Sequence, residues 1–200
     1  VFKTAFAVET HVQLGIITSP SGSVVHDIIN RVKDRFPMPL DIWPVSVQGL
    51  EAVSSISKAI KGFNQMTIHK PDIIIIARGG GSTEDLMAFN DENLAIHVFN
   101  SKIPIVSAIG HETDTTIIDL VSDLRASTPT AAAEKSVPVK KNIEIQIKNL
   151  NFKLENKIEF KFSIIKDNLE YINKLLKAPN FIINFYKEKV NNNLKKLYLS

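Results

Sequence analysis

A run of four consecutive isoleucines, residues 73–76, dominates the apolar pattern of the chain. Because β-branched side chains favour strands and no polar residue alternates with them, the run predicts a strand buried on both faces of a sheet. Residues 13–18 and 103–109 predict two further strands. Residues 40–47 alternate like a strand, and Pro44 within them predicts an edge or bulged position, since proline cannot donate to a neighbouring strand.

Apolar residues between these strands recur at helical spacing. The pattern predicts helices over residues 23–36 and 49–62, one helix that begins at Thr83 and runs through Val98, and a short helix within 115–123. Strands that alternate with helices indicate a parallel sheet with right-handed crossovers. The predicted fold class is therefore α/β, with an open, mostly parallel sheet and flanking helices.

The pattern changes from Ala131 onward. Apolar residues then recur at steps of three and four, which is the spacing of a coiled coil, at Ile143, Ile147, Leu150, Leu154 and Ile158. The stripe continues with Ile165, Leu169, Ile172 and Leu176. Pro179 interrupts this helix. We therefore expect an α/β domain over residues 1–134 and a long helical coiled-coil extension, truncated, over 135–200, with a turn near 178–180. Whether the second helix folds back antiparallel or continues beyond a kink stays open, and the stripe needs a partner helix in this chain or in another.

Composition narrows the function classes. The apolar fraction of 44% suffices for a core, and the absence of cysteine excludes disulfides and thiolate chemistry, which suits a reducing cytoplasm. No apolar run approaches the roughly 18 residues of a membrane span, and the first residues do not resemble a signal peptide. The absence of an initiating methionine indicates a fragment.

Charge is distributed unevenly along the chain. Residues 1–134 hold 10 Lys and Arg against 15 Asp and Glu, a net charge of −5, whereas residues 135–200 hold 14 against 6, a net charge of +8. A basic segment suits contact with nucleic acid or with an acidic protein. The alternative is a solvated, lysine-rich helix without a charged ligand.

The isoleucine strand ends in Arg78, followed by Gly79, Gly80, Gly81 and Ser82. Glycines let several backbone N–H groups approach an anion, Ser82 is suited to cap the next helix, and the arginine adds a permanent positive charge. This combination predicts a phosphate-binding corner. It matches neither G-x-x-x-x-G-K-[ST] nor G-x-G-x-x-G, so a P-loop or a dinucleotide site is not supported. A tight turn without a ligand is the alternative.

Two more glycine-containing loops follow predicted strands, T-S-P-S-G, which contains Ser19, and G-H-E-T-D, which contains His111 and Asp114. In parallel sheets ligands gather at the carboxyl ends of strands, so we expect all three loops on one rim. His111 is a candidate general acid or base and Asp114 its orienting carboxylate, the alternative being a helix start with a locally bonded histidine.

Several other polar residues follow the same strands. Arg125 and Thr128, in a hydroxyl-rich loop, are candidate phosphate ligands, whereas Asp27 reads from its position as an exposed helix acid. Most of the remaining carboxylates are expected to cap or solvate helices; they are Asp91, Glu92, Asp119 and Asp123. The sequence H-E-x-x-H is absent, so a zincin helix is not supported. A divalent cation such as Mg²⁺ held by carboxylates would suit hydrolysis of a phosphodiester, but the sequence shows no clear set of ligands, so no metal ligand is assigned.

Five motifs, in this order, resemble the large subunit of bacterial exonuclease VII over about residues 14–134. They are T-S-P-S-G-x-x-x-H-D-I, W-P-V-x-V-Q-G, A-R-G-G-G-S-x-E-D-L-x-x-F-N-D-E, G-H-E-T-D-x-T-x-x-D and D-x-R-A-x-T-P-T-A-A-A-E. The resemblance implies an exonuclease that degrades single-stranded DNA from either end without ATP and releases products with 5′-phosphates. It implies assembly with several copies of a small helical subunit, and it implies catalytic roles for Asp27, Arg78, His111 and Asp114.

The chain also departs from that family's pattern. The family carries an N-terminal OB-fold that this chain is too short to hold, and Met87 stands where the family generally has tryptophan. We therefore expect the chain alone to have weak or no activity. Two other functions stay open at this stage: a non-catalytic phosphate- or nucleotide-binding module, and an inert scaffold whose coiled coil recruits partners.

Overall fold

A computed structural model describes residues 13–80, 83–110, 114–176 and 179–198. The strands of this part are β1 (Leu14–Thr18), β2 (Leu40–Pro44), β3 (Ile73–Arg78), β4 (Ile105–Ile109) and β5 (Leu124–Arg125). The helices are α1 (Ser23–Arg35), α2 (Ala52–Gln65), α3 (Thr83–Leu86), α4 (Glu92–Phe99), α5 (Ile117–Val121), α6 (Pro129–Ser136), α7 (Lys140–Leu175) and α8 (Pro179–Tyr198). A short 3-10 helix, Met87–Asn90, lies between α3 and α4.

The five strands form one sheet in the order β2-β1-β3-β4-β5, and every neighbouring pair is parallel. This confirms the predicted α/β fold with a parallel sheet. β2 is an edge strand and ends at Pro44, as its proline predicted, because an edge position needs fewer N–H donors. β5 was not predicted, since a strand of two residues leaves no periodic pattern.

Helices cover both faces of the sheet. Successive side chains of a strand point to opposite faces and therefore pack into two different cores. On β3, Ile74 and Ile76 pack into the core that contains α2, α4 and α5. Ile73 and Ile75 pack into the opposite core, which contains α1 and α6. The four isoleucines therefore supply two apolar layers at once, and β3 forms the centre of a three-layer domain.

The predicted single helix from Thr83 to Val98 is wrong. The chain forms α3, a 3-10 helix and α4, and the break falls at Asp91. The Asp91 carboxylate accepts a hydrogen bond from the backbone N of Leu94 at 3.1 Å and so begins a new helix. Phe89 and Leu94 are nevertheless fully buried, so the apolar spacing identified the core side of the segment correctly. The predicted cap at Ser82 lies outside the described residues.

The chain divides into two compact units, residues 1–143 and 144–200. All described residues of the second unit are exposed, including the apolar side chains of the predicted coiled-coil stripe. Pro179 is the first residue of α8, where a missing N–H is tolerated. None of the helices within the described ranges has both the length and the apolar character needed to cross a membrane.

Candidate active site

The carboxyl ends of β1, β3 and β4 lie side by side at one edge of the sheet. In the parallel register Ile17 pairs with Ile76, and Arg78 pairs with Ile109, so the three strands end nearly level. Neighbouring strands are about 4.8 Å apart, which brings Ser19, Gly79 and Gly110 within about two strand spacings. For the described start of each loop, the expected common rim is therefore confirmed.

The strand order also locates the centre of this rim. The chain leaves β1 toward β2 on one side and then returns to the other side for β3, so the order reverses between β1 and β3. In open α/β sheets the helices diverge at such a point and leave a crevice outside the carboxyl ends of the strands, which is where ligands bind. Arg78, the last residue of β3, stands at this crevice.

The guanidinium of Arg78 is buried and only partly satisfied. The residue is 4% exposed, its Nη2 lies 3.1 Å from Oδ2 of Asp85, and its Nη1 has no hydrogen-bond partner among the described residues. A buried charged N–H group without an acceptor is costly, so such a group is expected to have an ordered water, an ion or a ligand as its partner. The geometry therefore provides an acceptor-binding nitrogen at the switch point, as the predicted phosphate corner requires.

Gly79 joins this corner to helix α1. A Cβ built on Gly79 would lie 3.1 Å from Cγ2 of Val24, which is tighter than most such contacts. The absence of a side chain therefore lets the loop that follows β3 lie against the first turn of α1. Gly80 is exposed. Gly81 and Ser82 lie outside the described residues. Because α3 has only four residues, its N-terminus adds little positive potential, and Arg78 is the main described positive charge in the corner.

Gly110 turns the chain at the end of β4. Its φ is +68°, a conformation that L side chains rarely adopt, and a Cβ there would lie 2.8 Å from Oδ2 of Asp114. The carboxylate of Asp114 is therefore folded back over Gly110, at the end of β4. His111 lies outside the described residues, so its position relative to Asp114 stays a prediction.

Arg125 supports the same turn from the neighbouring strand. It pairs with Ser107 in the β4–β5 register, and its Nη2 donates a hydrogen bond to the backbone O of Asp114 at 2.9 Å. Its own backbone O accepts a hydrogen bond from Nζ of Lys135 at 3.2 Å. The described contacts thus tie Arg125 to the protein backbone, and its predicted contact with phosphate stays a prediction.

Asp27 lies on α1, the helix that packs against α6. Nε of Arg31 lies 2.9 Å from Oε1 of Glu134, and Nε of Arg35, one turn further on, donates to the backbone O of Val137 at 3.0 Å. The contacts advance in the same direction along both helices, so the helices run parallel. One turn back toward the N-termini, Asp27 is level with the start of α6, and its side chain is exposed. Its position fits both an exposed helix acid and a rim carboxylate.

Two predicted substrate-binding hydroxyls already have neighbours. Oγ1 of Thr128 accepts a hydrogen bond from the backbone N of Ala131 at 3.1 Å and thereby caps α6. Oγ of Ser19 lies 3.2 Å from Oγ of Ser21. Both hydroxyls lie in loops of the rim, and their contact with substrate stays a prediction.

Two of the remaining carboxylates, Asp91 and Asp119, cap helices as predicted, Asp91 at α4 and Asp119 at α5. Asp123 instead accepts a hydrogen bond at 2.9 Å from the backbone N of Ile105, the first residue of β4. Asp119 is buried and accepts from the backbone N and Oγ1 of Thr116, at 2.9 and 2.7 Å, and from Oγ of Ser107. Within the described ranges no group of three His, Asp or Glu side chains is arranged to hold a metal ion.

Sequence reasoning missed two contacts that support the site, the ion pair of Arg78 with Asp85 and the hydrogen bond from Arg125 to the backbone of Asp114. No sequence pattern predicts either contact. The pair Thr116 and Asp119 did carry a signal, because T-x-x-D is close to a capping box, in which the two residues satisfy each other's backbone N–H groups.

The reversed strand order and the buried arginine at its switch point define a doubly wound α/β protein with a candidate anion site. Residues 7–199 match the family model described as exonuclease VII, large subunit. The chain therefore belongs to the exonuclease VII large-subunit family, and the resemblance seen in the five motifs is confirmed.

Curated relatives agree with this assignment, and all three cited here are named exodeoxyribonuclease 7 large subunit. The chain is 47% identical over 167 residues to the protein of Bartonella henselae, covering 82% of this chain and 35% of the relative. It is 53% identical over 146 residues to the protein of Mesorhizobium japonicum, covering 71% and 28%. It is 44% identical over 181 residues to the protein of a Ruegeria species, covering 88% and 36%. The chain thus spans about a third of the length of the curated relatives it matches.

Proposed function

We propose that this chain carries the catalytic centre of an exodeoxyribonuclease that hydrolyses the phosphodiester bonds of single-stranded DNA. The observation that carries the proposal is the buried Nη1 of Arg78, which lacks an acceptor at the switch point of the sheet. A phosphodiester oxygen is an anionic acceptor and satisfies that nitrogen. Membership of the exonuclease VII large-subunit family supports this class of reaction.

In this proposal Arg78 binds a non-bridging oxygen of the scissile phosphate. Its charge is fixed, and burial removes competing water, so the guanidinium stabilises the negative charge that builds up as water attacks phosphorus. The backbone N–H groups of the glycine loop after β3 supply further donors. Arginine suits this role because its planar fork matches phosphate geometry.

Two proton transfers accompany the reaction. A product with a 5′-phosphate requires that the bond between phosphorus and the 3′ oxygen breaks, so the attacking water loses a proton and the leaving 3′ oxygen gains one. We assign these transfers to His111, oriented by Asp114, and to Asp27 at the same rim. The fold of Asp114 over Gly110 supports this assignment, because it places a carboxylate at the end of β4.

The helical unit is proposed to bind the partners. Its described apolar side chains are exposed on more than one face: at 100° per residue, Ile145 and Phe152 lie roughly opposite the stripe of Ile147 and Leu154. One helix cannot cover opposite faces, which supports association with several copies of a small helical subunit. The net charge of +8 over residues 135–200 supports attraction of the DNA strand. We place the assembly in the cytoplasm and propose that hydrolysis proceeds from either end of the strand.

The test uses the full-length large subunit assembled with its small subunit, on end-labelled single-stranded DNA, with and without a chelator. Arg78→Ala and His111→Ala should each lower turnover by about 10²–10⁴-fold, because each removes a group that acts in the transition state, while DNA binding persists.

Undegraded DNA after incubation with the wild-type complex in both conditions would contradict the enzymatic proposal. A non-catalytic phosphate-binding module would bind DNA without cleaving it, and its affinity would change only modestly in the His111→Ala variant. The chelator arm shows whether a divalent cation takes part.

A further inference from the structure

Asp85 is the described partner of the arginine on which the proposed function depends. Its Oδ2 lies 3.1 Å from Nη2 of Arg78, and the side chains are 41% and 5% exposed, respectively. The carboxylate thus reaches from a partly exposed position in α3 to a guanidinium inside the protein. The ion pair also joins the two ends of the segment that contains the three glycines, which lie between these residues in the sequence.

A guanidinium is planar and carries its donors in a rigid fork, so fixing one terminal nitrogen restricts the direction of the other. Asp85 binds Nη2, whereas Nη1 is the nitrogen without an acceptor in the described residues. We propose that Asp85 is a positioning residue that holds the Arg78 guanidinium with Nη1 facing the scissile phosphate. This inference rests on the function proposed above.

The competing idea is that Asp85 occupies the anion site and must leave when DNA binds. The geometry favours positioning, because the carboxylate is on Nη2 whereas Nη1 has no acceptor among the described residues. The two ideas predict different effects of removing Asp85 on DNA binding and on cleavage. If Asp85 competed with phosphate, removing it would strengthen DNA binding and would not slow cleavage. If Asp85 positions the arginine, removing it slows cleavage while binding of DNA, which depends on many contacts, changes little.

The first experiment compares two neighbouring acids in the complex of full-length large and small subunits. Asp85→Ala should lower kcat by about 10–100-fold with KM within about twofold, because a misplacement of about 1 Å costs up to roughly that factor. Asp85→Glu, which keeps the carboxylate, should recover part of the loss. Glu84→Gln is the matched control, because Glu84 is exposed in the same short helix and the substitution removes the same charge. This variant should keep the wild-type kcat.

The second experiment asks whether Asp85 acts through Arg78. In an Arg78→Ala background, measured under single-turnover conditions with enzyme in excess, Asp85→Ala should cause no further loss, because no guanidinium remains to be positioned. Thermal unfolding and the fraction of active sites are measured for each variant. A loss of activity that equals the loss of folded protein would overturn the proposal.

The remaining outcomes separate the positioning role of Asp85 from the catalytic role of Arg78. Wild-type kcat in Asp85→Ala, or an equally large effect of Asp85→Ala in the presence and absence of Arg78, overturns the positioning role alone. Wild-type turnover in Arg78→Ala overturns the proposed role of Arg78 in catalysis, and with it the reason for positioning that residue.

Discussion

At the scale of single residues, Gly110 shows how backbone conformation and chemistry meet in this site. Its φ of +68° and the carboxylate of Asp114 against its Cα both require the absence of a side chain. An alanine there would be strained and would also push against a proposed catalytic group. The glycine therefore determines where the Asp114 carboxylate lies.

We predict that Gly110→Ala lowers activity more than stability. The left-handed conformation should cost about 1–2 kcal/mol of unfolding free energy, whereas displacement of Asp114 should lower kcat at least about tenfold. Steady-state kinetics and chemical denaturation of the assembled protein measure the two effects. Gly49→Ala is the control for stability, since Gly49 has φ +76° and a Cβ there would have no heavy atom within 4 Å. Equal kcat in Gly110→Ala and wild type would contradict the role given to Asp114.

The residues of the site could be predicted only where the chain keeps them close in sequence to a strand end. Arg78 and Asp114 became candidates in this way, because a strand, a glycine turn and a charged residue form a local pattern. The ion pair with Asp85 and the hydrogen bond from Arg125 depend on side-chain conformations and on strand pairing, which no local pattern encodes. Asp27 stayed undecided by position alone, and its exposed side chain on α1 fits a helix acid as well as a rim carboxylate.

At the scale of elements, the contact between β2 and α2 depends on one missing side chain. A Cβ on Gly62 would lie 2.1 Å from Cη2 and 2.4 Å from Cζ3 of Trp43. The indole therefore fills the space above this glycine, and its ring also meets Phe63 edge to face at 5.3 Å between centroids. The edge strand is held to its helix by an aromatic ring that fits against bare backbone.

Gly62→Ala should accordingly destabilise the protein by about 1–3 kcal/mol, the usual cost of overpacking. Denaturant unfolding of the single variants and of the double variant with Trp43→Phe measures the coupling. Because phenylalanine lacks the outer ring atoms that the new methyl group would meet, the cost of Gly62→Ala should shrink in that background. A cost that is the same in both backgrounds would place the strain elsewhere.

The elements were predictable where burial imposed a period. Three strands, β1, β3 and β4, were recognisable as apolar runs, because a strand covered on both faces needs apolar residues at successive positions. The break between α3 and α4 was missed because a single cap at Asp91 outweighs an uninterrupted apolar stripe. β5 was missed because register with β4, and not its own sequence, makes it a strand.

At the scale of the whole molecule, the chain combines an acidic α/β unit with basic helices whose apolar side chains are exposed. Apolar stripes of this length are unfavourable in water, at about 25 cal/mol per Å² of apolar surface. The exposed stripe thus favours association.

We predict that the double substitution Leu150→Lys and Leu154→Lys separates assembly from folding. Each leucine contributes about 1.5–3 kcal/mol if it becomes fully buried in an interface, so the affinity for the small helical subunit should fall at least about a hundredfold. Sedimentation or size-exclusion chromatography of the mixed subunits measures this, and thermal unfolding of the α/β unit should stay unchanged. Gln146→Lys with Glu155→Lys adds lysines at exposed positions outside the stripe and should preserve assembly. Equal losses in the two pairs would indicate a charge effect and not loss of the apolar stripe.

Arg78 belongs to β3, the central strand of the sheet, which has paired neighbours on both sides and is buried at every position. Backbone amides in such a strand exchange with solvent mainly when the whole domain unfolds, because local openings begin in segments with few buried contacts. The proposed phosphate anchor is thus fixed to one of the parts of the fold that open least often. Hydrogen exchange should find the amides of β3 among the slowest in the chain. On heating, Arg78 should lose its position only when the whole α/β domain unfolds.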